Sequence, residues 1–94
     1  MDLAQDKRKR MRQRQAIDAI LKEREYQRQR WSDDQRKTMV QWIGILAVYV
    51  GKAAQETPLY RENALESFRK RIVQIGAICA AILEETDGRG EEQK

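Results

Sequence analysis

Apolar residues recur along most of this chain at intervals of three and four, the period of an α-helix, and no stretch alternates with the period of two that a strand requires. Ile17, Ile20 and Leu21 form a short stripe that Arg24 and Arg28 continue, which predicts a helix from about Gln13 to about Trp31. Ser32-Asp33-Asp34-Gln35 then reads as a helix start. The Ser32 hydroxyl and the Gln35 side chain can form a capping box, and the two aspartates suit the positive end of the helix dipole. The second helix carries Met39, Trp42, Ile43, Leu46, Tyr49, Val50 and Ala53. Gly44 and Gly51 share one of its faces. A glycine inside a helix costs about 1 kcal/mol relative to alanine, so the pair predicts close approach of another helix. Thr57-Pro58 supplies an N-cap followed by proline at the first helical position of a third helix. Along it, Leu65, Phe68, Ile72, Ile75, Cys79 and Ile82 follow the 3, 4, 3, 4, 3 spacing of a heptad seam, and Asp87-Gly88 closes it.

The expected fold is therefore all-α. It is a three-helix chain, two long antiparallel helices plus an N-terminal helix, assembling into a helical-bundle oligomer. Residues 1–12, dominated by Lys7, Arg8, Lys9, Arg10 and Arg12, are expected to form a basic flexible arm. Residues 13–87 form the single helical domain, and 88–94 a disordered tail. Oligomerisation is expected because each helix is apolar on more than one side: Ile43, Val48 and Val50 cannot all face the seam of Trp42, Leu46 and Tyr49. A two-fold axis pairing the second and third helices would cover the remainder. A core drawn from 94 residues is marginal alone, which argues the same way.

Composition narrows the class. Residues are 40% hydrophobic and 36% charged, and no apolar run approaches the roughly 20 residues of a membrane span. The first residues are charged, unlike the apolar core of a secretory signal, so the expected compartment is the cytoplasm, that of the host cell if the protein is viral. The one cysteine, Cys79, has isoleucine neighbours and is expected to be a buried small hydrophobe. The formal charge of +4 is concentrated in residues 1–31, which hold ten bases and five acids. That segment is either a solvated helical arm or a surface that attracts phosphate.

The chain has no histidine, so the commonest general base and zinc ligand is missing. No glycine-rich loop follows a strand. The acidic groups Asp33-Asp34, Glu62/Glu66 and Glu84-Glu85 do not visibly converge from two helices, and no metal or cofactor is expected. A basic and polar set is more informative. Tyr49 and Lys52 are three apart on the second helix, and Arg71 and Gln74 three apart on the third. Antiparallel packing can bring the pairs together as an ammonium, a guanidinium fork, a phenol and an amide, groups that hold phosphate. The alternative is that Lys52 and Arg71 snorkel from the bundle edge. Trp31 and Tyr26 lie beside Arg24, Arg28 and Arg30 and could stack on a base; Tyr60 is a third aromatic near a helix end.

Residues 16–85 resemble the short MazG-like proteins common in bacteriophages, relatives of the all-α nucleotide pyrophosphohydrolases. The similar text is Lys22 through Gln27 followed by Arg30-Trp31, then Trp42 through Leu46 and Tyr49-Val50-Gly51-Lys52-Ala53-Ala54, then Phe68 through Ala77 with Arg71-Ile72-Val73-Gln74 at its centre. The family reads E-R-x-x-Q-x-x-x-W, L-x-E-E-V-G-E-V-A and L-R-E-E-L-V-Q-V-A-A at corresponding places. In its catalytic members an E-x-x-E and an E-x-x-D hold magnesium. Here those positions fall on Tyr49 and Lys52, and on Arg71 and Gln74, so no acid remains at any of the four. The resemblance thus implies a nucleotide pocket without its metal cage. The expected function is a non-catalytic nucleotide-binding protein, phage-encoded. It would sequester a phosphorylated signal, a cyclic oligonucleotide or an ADP-ribose derivative, in pockets between protomers to counter host defence. Lys52 and Arg71 would hold phosphate, Tyr49 and Gln74 orient it, and Trp31 or Tyr26 stack on a base. The alternatives are a helical protein that inhibits a host protein partner, a residual pyrophosphohydrolase using Glu62, Glu66 or Glu84, and nucleic-acid binding through residues 7–30.

Overall fold

The computed structural model describes residues 2–31, 37–56 and 64–92. They form three helices: α1 (Leu3–Arg30), α2 (Met39–Gln55) and α3 (Ala64–Glu92). No strand is present among the described residues. None of the three helices is long and apolar enough to cross a membrane. The all-helical class and the three-helix order therefore agree with the sequence pattern.

Helix boundaries differ from those expected, for local reasons. α1 begins at Leu3, ten residues ahead of the start expected near Gln13, because Asp2 caps it by accepting from the Ala4 amide at 3.0 Å. The Lys, Arg, Gln and Met residues that follow are good helix formers and need no buried face to coil. The basic segment is thus an exposed helical extension. α2 begins at Met39 on a capping box made by Thr38 and Gln41, with both reciprocal bonds present at 3.1 and 2.8 Å. The expected box at Ser32–Gln35 and the expected Thr57-Pro58 cap lie outside the described residues. α3 continues past Gly88, since one glycine in open space costs about 1 kcal/mol and does not break a helix already under way.

α3 is the central helix, with α1 packed on one side and α2 on another. α2 and α3 run antiparallel: Trp42 meets Glu85 at one end and Glu56 meets Arg71 at the other. Their core is Trp42, Ile78 and Ala81, flanked by Trp31, Ile45, Leu46, Tyr49 and Ile82. Glu85 fastens the start of α2 to α3, accepting from the Trp42 indole N–H and the Lys37 backbone amide. α1 is tied to α3 by Arg24 and Arg28, which share the Glu84 carboxylate at 3.0 and 3.3 Å. The two adjacent glutamates considered as metal ligands therefore point to different helices, each already engaged by donors. The close helix approach occurs at Gly76, where an added Cβ would lie 2.9 Å from Ile20 Cδ1. Gly44 and Gly51 face open space among the described residues, which do not make the close approach expected at them.

Of the heptad seam of α3, only Ile82 packs against this core. Leu65 is 81% exposed, and Phe68, Ile72 and Cys79 are also exposed. The buried residues Ala77, Ile78 and Ala81 lie on a different side of the helix. The small alanines admit the neighbouring helices more closely than the seam's larger side chains would. Cys79 is consequently an exposed thiol and not the buried hydrophobe that its isoleucine neighbours suggested.

Candidate functional site

Five of the six residues singled out from the sequence form one connected cluster where the end of α1 meets α2 and α3. Trp31, at the C-cap of α1, sets its ring edge-on to Tyr49 with centroids 6.4 Å apart. The Lys52 ammonium lies over the Tyr49 ring, 5.1 Å from its centroid, and has no carboxylate within ion-pair distance among the described residues. Arg71 donates from Nη1 to the Gln74 side-chain oxygen at 3.0 Å. The backbone carbonyl of Gln74 in turn accepts from Gln27 Nε2 at 3.3 Å. Helical spacing explains the convergence: Tyr49, Lys52 and Glu56 recur at three and four along α2, and Arg71 and Gln74 are three apart on α3.

Two members of the cluster were missed in the sequence. Glu56 takes Arg71 in a forked pair, with Nε and Nη2 each 3.0 Å from Oε1. Its hydrogen bonds raise the Arg71 pKa above the ordinary arginine value, with burial opposing and the charge of Glu56 and Tyr49 adding to the rise. The guanidinium is thus cationic at any usable pH, but it is not the bare cation expected. The signal was available: Glu56 follows Lys52 by four and Tyr49 by seven, on one face. The second is Gln27, buried to 3% exposure, whose Oε1 finds no hydrogen-bond partner. A buried amide oxygen without a donor costs about 1–3 kcal/mol unless water or a bound molecule supplies one.

Tyr26 stands apart. It is half-exposed, a third of a turn round α1 from Gln27, and carries Arg30 over its ring at 5.7 Å. No contact joins it to the other five among the described residues.

Chemically, the cluster offers an ammonium, a guanidinium with two of its five N–H groups uncommitted, a phenol, an indole and a buried carbonyl acceptor. Its formal charge is +1, from Lys52, Arg71 and Glu56. No group of three or more acids or cysteines suited to a metal ion occurs among the described residues. Tyr60 and Glu62 lie outside them. No protein-family model, curated protein or solved structure matches this chain.

Proposed function

We propose that this chain is a non-catalytic nucleotide-binding protein of MazG-like ancestry, phage-encoded and acting in the host cytoplasm. It sequesters a phosphorylated nucleotide signal of the cyclic oligonucleotide or ADP-ribose type. The observation that carries this reading is the gathering of residues distant in sequence: Trp31, Tyr49 and Lys52 meet through their rings, Arg71 holds Gln74, and Gln27 joins the two groups by accepting from the Trp31 amide and donating to the Gln74 carbonyl. Lys52 meets a phosphate as a point charge, and Arg71 adds its two remaining N–H groups while Glu56 holds the fork in place. Nothing at these positions would hold the hard cation that pyrophosphohydrolysis needs, because ammonium and guanidinium groups repel it.

Titration calorimetry of the purified protein tests the proposal, using cyclic dinucleotides, cyclic trinucleotides, ADP-ribose products and ordinary nucleotides, with and without magnesium. Binding without magnesium, lost in Lys52→Ala and Arg71→Ala, and recovery of the ligand intact after denaturation are expected. Magnesium-dependent release of pyrophosphate would instead support the hydrolase. Silence across the panel would favour the second reading, an inhibitor of a host protein, for which the uncovered apolar face of α2 and α3 speaks.

A further inference from the structure

The chain exposes more surface than its size calls for. Its accessible area is 8092 Å². A compact monomer of 11.1 kDa exposes about 5,700 Å². A standard interface takes only about 800 Å² from each partner, so the excess, about 2,400 Å², is ample for one.

Part of that excess is a continuous apolar face built from two helices. On α3 it is the exposed part of the heptad seam, Leu65, Phe68, Ile72 and Cys79; Ile75 and Ile82 of the seam are half-buried, and Ile82 also flanks the α2–α3 core. On α2 it is the edge carrying Met39 and Ile43, exposed themselves and lining one cleft of about 190 Å³ with Ile82 of α3. The seam positions 65, 68, 72, 75, 79 and 82 include no charged side chain, nor do Met39, Ile43 and Val50 on α2. Glu85 and Thr86 complete the cleft, and the Glu85 carboxylate is already engaged by the Trp42 indole and the Lys37 amide, so the face offers little charge by which to select an acidic or basic partner.

The seam is complementary to itself. Turned antiparallel about a two-fold axis beside Val73 and Gln74, it brings Leu65 opposite the partner's Ile82, Phe68 opposite the partner's Cys79, and Ile72 opposite the partner's Ile75. Each layer joins an a position to a d position, and the largest side chain meets the smallest. We infer that a second copy of this chain covers the face in this register, giving a four-helix core from two α2–α3 pairs. The inference deepens the expected self-association and is independent of the nucleotide reading, since the polar cluster uses other positions of α2 and α3.

Phe68→Cys tests the register. Positions 68 and 79 are about 16 Å apart along one helix, beyond any disulfide. Oxidation should therefore give a dimer whose peptide map joins the introduced thiol to the partner's Cys79, while wild-type Cys79 gives no such product. Sedimentation equilibrium of the wild type should return an even multiple of 11.1 kDa. Ile72→Glu should lower it to one chain with its helical circular dichroism kept; should that variant unfold, the cross-link decides. A wild type that stays monomeric at about 100 μM would overturn the inference, since a useful oligomer has Kd well below that. So would a cross-link map lacking the 68–79 pair. Neither result touches the calorimetry, so the two proposals fail separately.

Discussion

Arg71 commits three of its five N–H donors to Glu56 and Gln74. This divides structural from functional roles at the scale of single residues. Glu56→Gln removes the only carboxylate in the cluster and raises its formal charge from +1 to +2, so a phosphorylated ligand should bind about tenfold more tightly by calorimetry. Stability should fall by no more than about 1 kcal/mol, because the pair is a quarter exposed and solvent screens it. Weaker binding would mean that Glu56 itself contacts the ligand. Because the Arg71 pKa is raised, the charge and any stability it brings are fully present below the ordinary arginine value and are lost only above the raised one. With no histidine in the chain, affinity should be flat from about pH 6 to 8 apart from the ligand's own titration. Gln27→Met removes a buried acceptor that has no donor and should stabilise the free protein by about 1 kcal/mol in urea unfolding. A loss of 2 kcal/mol or more would contradict that account. The Tyr49–Lys52 and Arg71–Gln74 spacings were legible in the sequence because both are one helical turn. Glu56 shares that spacing on α2 and could have been found by it, whereas Gln27 could not, since nothing along the chain marks which glutamine is buried.

The helices carry their own test of what is covered. Gly44 and Gly51 lie in open space among the described residues, so Gly44→Ala and Gly51→Ala should each stabilise α2 by about 1 kcal/mol, read as a rise in thermal midpoint. A fall would show that something packs against that face. Gly76→Ala meets the flexible end of Ile20 at 2.9 Å, so its helix-propensity gain is offset by displacement of that side chain. The period of the helices was readable from the sequence; the rotation of α3 was not. Its seam and its alanine-rich side are both apolar, and periodicity alone cannot say which one the neighbouring helices occupy. The start of α2 slipped for a similar reason: Ser32–Gln35 and Thr38–Gln41 both spell a capping box.

At the scale of the molecule, the radius of gyration is 16.3 Å, against about 12 Å for a compact chain of this length. The long basic α1, whose Leu3, Met11 and Ile17 are exposed, accounts for part of that extension. The sequence indicated that the apolar surface was too large for one small core. It could not show that Trp31 reaches Tyr49, because that depends on where the end of α1 lands. The central claim is that this cluster holds a phosphorylated nucleotide without a metal. Its most direct test is calorimetry of ADP-ribose and cyclic oligonucleotides in chelator-treated buffer, comparing wild type, Lys52→Ala and Glu56→Gln. The account predicts roughly ten- to hundredfold weaker binding on losing the ammonium and tighter binding on losing the carboxylate. Equal heats from all three proteins would contradict it.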